Sequence, residues 1–134
     1  MLTKKFHFVV VDDSKLDCFI AEKIIRNTEK CESIKSFQLA NEALEYMRTT
    51  RANSKTKTKL LVDIRMPVMN GFEFVEAFQN LPLEITSNCE IYLVLSSELS
   101  SHEQFQPFAA RFPVIKQILS KPLTSNNLSL LFKD

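Results

Sequence analysis

The stretch Val9-Val10-Val11-Asp12-Asp13-Ser14-Lys15 runs three β-branched apolar residues straight into two adjacent carboxylates. An apolar run with no polar alternation suits a parallel strand covered on both faces, and here it begins at Phe6, so a first strand is expected over Phe6–Val11. Two neighbouring carboxylates repel each other, and partial burial makes both harder to ionise. A positive partner is therefore required where this strand ends.

The pattern recurs along the chain. Leu60-Leu61-Val62 stops at Asp63, Ile91 to Leu95 stops at Ser96-Ser97, and Val114 to Leu119 stops at Ser120-Lys121-Pro122. A shorter strand is expected over Ile34 to Leu39. Between the strands lie helical patterns. Ser14 can cap a helix with Leu16, Phe19, Ile20, Ile24 and Ile25 at helical spacing; Asn41 can cap one with Ala43, Leu44 and Met47. Phe72, Phe74, Val75, Phe78 and Leu81 mark a third helix closed by Pro82, a weaker fourth spans about Ser101 to Arg111, and Thr124 can cap a last one through Phe132. Strands alternating with helices in a (βα)5 order force a parallel, doubly wound α/β sheet with helices on both faces. In such sheets ligands bind at the carboxyl ends of the strands, which brings Asp12, Asp13, Asp63, Ser96 and Lys121 to one edge.

With 134 residues the chain has the length of one domain, 1–134, and its 45% hydrophobic and 25% charged residues are those of a globular protein. A net charge of +1 offers no electrostatic footprint for nucleic acid or an anionic membrane. The one basic run, Lys55, Lys57 and Lys59, reads as a solvated loop. No apolar run is long enough to span a bilayer and the start MLTKKF lacks a signal-peptide core, so a cytoplasmic location is expected. Cys18, Cys31 and Cys89 match no zinc or redox spacing and read as reduced structural thiols, and His7 and His102 as ordinary histidines.

The acidic pair Asp12-Asp13, the motif VDIRMPVMNG from Val62 to Gly71, the hydroxyl of Ser96 in LSS and the Lys121-Pro122 pair together resemble the receiver domain of two-component response regulators. The resemblance covers nearly the whole chain. It implies a flavodoxin-like sheet in the order 2-1-3-4-5. It implies that Asp63 is the phospho-acceptor, a carboxylate that attacks phosphorus to give an aspartyl phosphate. It implies Mg²⁺ bound by Asp13, Asp63 and the backbone carbonyl of Arg65, with Asp12 acting through water; that ion is the missing positive partner. Lys121 would pair with Asp63 at rest and with the phosphoryl group afterwards, Ser96 would hydrogen-bond the phosphoryl group, and the Lys121–Pro122 peptide would be cis. Gly71, the only glycine, suggests a backbone that needs φ > 0.

The chain departs from the family in two places. Receivers usually carry Tyr or Phe three residues before the lysine; here Ile118 offers no ring to rotate, so output must depend on movement of the loop and fourth helix. Pro107 falls inside that helix and should leave it short or irregular, with Phe105, Phe108 and Phe112 read as core. The function expected is a stand-alone, chemotaxis-regulator-like phosphoacceptor. It would take its phosphoryl group from a histidine kinase or phosphotransfer protein and act on a separate downstream protein through the face of helix four, strand five and helix five. The alternatives are a phosphorylation-independent interaction module and a phosphate sink that hydrolyses its own aspartyl phosphate. Arg65 and Glu98, two residues beyond Asp63 and Ser96, are expected to shield that phosphate from water.

Overall fold

The computed structural model describes residues 4–51, 54–95 and 105–132. Five strands, β1 (Phe6–Val11), β2 (Cys31–Phe37), β3 (Thr58–Asp63), β4 (Cys89–Leu95) and β5 (Ile115–Ser120), form one sheet in the order β2-β1-β3-β4-β5. All four pairings are parallel. The helices are α1 (Lys15–Arg26), α2 (Ala40–Thr50), α3 (Gly71–Phe78), a single turn α4 (Leu83–Thr86), α5 (Gln106–Ala110) and α6 (Ser125–Leu128), the last running into a 3-10 turn at Ser129–Phe132.

Because successive strand residues point to opposite faces, the continuous apolar runs feed two cores. Val9, Val11, Leu60, Val62, Ile91 and Leu93 pack under α2 and α3 with Met47, Phe74 and Phe78. Phe8, Val10, Leu61, Tyr92 and Val94 pack under α1 and the C-terminal turns with Ala21, Ile25, Leu128 and Leu131. The two layers account for the unpatterned strands.

Several local expectations change. The second strand starts earlier and stops sooner, at Cys31–Phe37, because β2 is the edge strand and tolerates exposed Glu32, Ser33 and Lys35. Leu39, expected to end that strand, is the N-cap position of α2, and Asn41 lies inside the helix rather than capping it. On α1 the buried residues are Cys18, Ala21 and Ile25, whereas Leu16 and Phe19 are 66% and 63% exposed. Pro82 does not close α3, which ends at Phe78; it stands before the extra turn α4. Pro107 sits in the first turn of the short α5, where a missing N–H costs nothing. Phe112 is buried, and Phe105 and Phe108 pack on the same core.

Lys59 is the clearest reversal. It is buried on β3, its Nζ donating to Glu90 Oε1 (2.6 Å), Tyr92 Oη (3.2 Å) and the Leu131 carbonyl (2.7 Å), with the Phe6 ring 4.4 Å away. Burial pushes its pKa down even though Glu90 pulls it up. His7 is also buried: Nδ1 meets the Ser33 hydroxyl and Nε2 lies 2.9 Å from the Tyr46 hydroxyl. His102 lies outside the described residues. All three cysteines are free, and burial pushes the Cys18 and Cys89 thiols up to about 11 and about 12.

Candidate functional site

The site is built where β1, β3 and β5 end. At the end of β1 the Asp12 N–H donates to the Phe37 carbonyl (3.0 Å), and the Asp12 side chain then accepts from the Ser14 N–H (2.9 Å). Ser14 in turn caps α1 by accepting from the Asp17 N–H (3.1 Å). This short turn buries Asp12 and leaves Asp13 exposed. At the end of β3 the buried Asp63 accepts from the Arg65 N–H (3.2 Å), and the Gly71 N–H donates to the Ile64 carbonyl (2.9 Å), folding the loop back under the carboxylate. At the end of β5 the Lys121 N–H is held by the Leu95 carbonyl (2.8 Å), and the Lys121–Pro122 peptide is cis.

Lys121 Nζ reaches three carboxylates: Asp17 Oδ2 at 2.7 Å, Asp12 Oδ2 at 2.9 Å and Asp63 Oδ2 at 3.1 Å. Burial alone would disfavour its charge, but hydrogen bonds to Asp17 and Asp12 and the charges of Asp12 and Asp63 outweigh this and raise its pKa. For Asp63, burial first and the Asp12 charge second push the pKa up to about 6, against the pull of Lys121 and the Arg65 N–H. Asp63 therefore ionises less readily than an exposed carboxylate.

One carboxylate oxygen from each of Asp12, Asp13 and Asp63 lies within 4.8 Å of the others. Oxygens around an octahedral Mg²⁺ at 2.0–2.1 Å stand roughly 3–4 Å apart, so a small side-chain adjustment fits these hard donors to that ion. Asp13 and Arg65 line one cleft of about 560 Å³ with Met66, Asn70, Phe72 and Phe105. A second cavity of about 270 Å³ lies between α1 and the exit of β5, lined by Asp12, Asp17, Ile20, Asp63, Lys121 and Leu123 among others.

Of the residues expected at this edge, Asp12, Asp13, Asp63 and Lys121 come together as read from the sequence. Ser96 and Glu98 lie outside the described residues. Ile118 is buried in the core at the position where an aromatic was missed. The reason inferred for Gly71 needs correction: its φ is not positive, and what excludes a side chain is the backbone of Asp63 and Ile64. Among the described residues, positive φ falls instead at Glu29 and Val68. Asp17 is the site residue that sequence reading passed over, because an acid in the first turn of a helix reads as a partner of the helix dipole.

A family model for the response regulator receiver domain matches residues 8–132. The chain belongs to that family. Among solved structures, this receiver domain is similar to a response regulator receiver protein from Dyadobacter fermentans, with 30% identity and a TM-score of 0.81 over 96% of this chain and 95% of that one. It is similar to a two-component response regulator from Cytophaga hutchinsonii, with 28% identity and a TM-score of 0.83 over 97% and 96%. The chemotaxis protein CheY4 of Vibrio cholerae shares the fold at 22% identity, with a TM-score of 0.71 and 93% of each chain covered. A search of curated protein sequences found no match. Receiver domains serve two-component phosphorelays, interact with histidine kinases or phosphotransfer proteins, and typically bind Mg²⁺ at an acidic pocket. Among the described residues no helix is long and apolar enough to cross a membrane.

Proposed function

We propose that this receiver domain, a single unit over residues 1–134, is a phosphoacceptor switch in which Asp63 takes a phosphoryl group from a histidine kinase or phosphotransfer protein. The observation that carries the reading is the buried Asp63 carboxylate, 3.1 Å from the Lys121 ammonium and grouped with Asp12 and Asp13. An Asp63 oxygen attacks phosphorus in line, and the new P–O bond forms as the bond from phosphorus to the donor breaks. Asp12, Asp13, Asp63 and the Arg65 carbonyl would hold Mg²⁺. When bound, that ion supplies neutralising charge to the phosphoryl oxygens. Lys121 exchanges Asp63 for a phosphoryl oxygen, and Ser96 donates a hydrogen bond to another.

The exposed apolar residues Leu16, Phe19 and Ile20 of α1, beside the acidic cluster, support approach of a protein donor rather than a nucleic acid. The receiver reading of the whole unit is supported by alignment of 96% and 97% of this chain with two response-regulator structures. Output through the face of α5, β5 and α6 toward a downstream protein is supported by a line of rings. Phe72, in the first turn of α3 just after the acceptor loop, stacks on Phe105 at 5.4 Å and meets Phe108 of α5 at 4.6 Å. These rings stand in for the aromatic that Ile118 lacks.

Mass spectrometry after incubation with Mg²⁺ and acetyl phosphate tests the reading. Wild type should gain one phosphoryl group and Asp63→Asn none; equal modification of both refutes Asp63 as acceptor. Millimolar Mg²⁺ should raise the melting temperature of wild type by mass action but not that of Asp13→Ala. An unmodified wild type would leave the interaction-module alternative.

A further inference from the structure

We propose that Asp17 is a positioning residue that holds Lys121 back from the phosphoryl site and so brakes phosphoryl transfer; this rests on the phosphoacceptor reading above. The Asp17 contact, at 2.7 Å, is the shortest of the three that Lys121 makes, and it draws the ammonium toward α1 rather than toward Asp63. Lys121 Nζ donates hydrogen bonds to Asp17 and Asp63 and forms an ion pair with Asp12, so three carboxylates surround one ammonium. A phosphoryl oxygen must compete with these carboxylates for Lys121. Asp12 is held in place by the Ser14 N–H and Asp63 by the Arg65 N–H, whereas the Asp17 side chain is 36% exposed and can turn to water.

Charge acts in the same direction. Among the described residues, Asp12, Asp17 and Asp63 all contact the Lys121 ammonium and Asp13 lies beside them, so acids outnumber that cation where an anionic phosphodonor must approach. Asp17 adds repulsion without adding a ligand to the Asp12–Asp13–Asp63 group. Asp17 stands in the first turn of α1, which fixes its place beside Lys121. Asp17 and Lys121, in direct contact, both line the cavity between α1 and the β5 exit, so their pair ties the start of α1 to the Lys121–Leu123 segment. A partner that engages α1 and draws Asp17 away would release Lys121 to the acceptor.

The test measures the rate of phosphorylation by acetyl phosphate at saturating Mg²⁺ together with the affinity for beryllofluoride, a ground-state mimic that needs no turnover. Asp17→Asn should phosphorylate roughly three- to tenfold faster and bind beryllofluoride more tightly by a similar factor. Asp17→Glu, which keeps the charge, should move both values less. Glu22→Gln, the same change in charge further along α1, should leave both unchanged. The inference is overturned if Asp17→Asn is no faster and binds no tighter than a reactive wild type, or if Glu22→Gln accelerates as much, which would make the effect one of net charge. A wild type that neither reacts nor binds beryllofluoride overturns the phosphoacceptor reading itself.

Discussion

Gly71 lies so close to Asp63 that a Cβ added to it would stand 2.8 Å from the Asp63 carbonyl oxygen and 2.9 Å from the Ile64 Cα. The first residue of α3 is thus seated on the backbone that carries the proposed acceptor. Both neighbours are main-chain atoms and cannot rotate away. Gly71→Ala should cost about 1–3 kcal/mol of stability, read as a lower urea midpoint with an unchanged slope. A midpoint equal to that of wild type would show that the loop yields freely.

Val68 carries the opposite expectation. Its φ of 69° places a β-branched residue in the left-handed region, within a tight turn closed by the Met69 N–H and the Pro67 carbonyl (2.7 Å). Such strain costs on the order of 1–3 kcal/mol, against less than about 1 kcal/mol of added chain entropy for glycine. With the side chain 95% exposed there is no packing to lose. Val68→Gly should therefore raise stability by about 1 kcal/mol in urea unfolding, and a drop would contradict the strain.

Removing the buried ammonium of Lys59 leaves Glu90, the Tyr92 hydroxyl and the Leu131 carbonyl without their shared donor. Lys59→Ala should cost about 2–4 kcal/mol and loosen the C-terminal turn first. Hydrogen exchange at Ser129–Phe132 reports the loosening. Unchanged protection there would mean that apolar packing alone holds the turn.

Two buried groups give opposing pH dependences in EDTA. Burial pushes His7 down to about 4 from 6.5, so the unfolded chain binds its proton first and stability falls as pH drops from about 6.5 to 4. Asp63, raised to about 6 from 3.8, binds its proton in the folded state first, so its contribution is present at low pH and lost as pH rises from about 4 to 6. Each is worth on the order of 2–3 kcal/mol, and in wild type they largely offset across this window. Asp63→Asn should gain stability at pH 7 and uncover the steeper His7 slope below it. If the variant shows the same flat profile as wild type between pH 4 and 6.5, one of the two assignments is wrong.

The doubly wound sheet and most of the acidic edge were legible in the chain itself. Apolar runs such as Phe6–Val11 need cover on both faces, and a strand has one carboxyl end, so residues that stop such runs meet in space whatever the loops do. Asp12, Asp63 and Lys121 follow from that constraint alone. So did the family, because its motifs are contiguous at those same strand ends.

What needed the tertiary structure were the choices that depend on a partner far along the chain. Lys59 looks like its basic neighbours until Glu90 and the Leu131 carbonyl close over it, and a charge is buried only where such partners desolvate with it. Asp17 looks like a helix-start acid until β5 delivers Lys121 to within 2.7 Å of it, 104 residues away in sequence. On α1 the sequence offers apolar residues all round, and only the position of the sheet selects Cys18, Ala21 and Ile25 to face inward and leaves Leu16 and Phe19 in water. Gly71 announces that something excludes a side chain, but that the obstacle is the Asp63 backbone rather than a positive φ is decided by how closely α3 returns to β3. Local pattern determines which elements form and where their ends lie; long-range approach determines which charges pair, because pairing depends on distance through space and not along the chain.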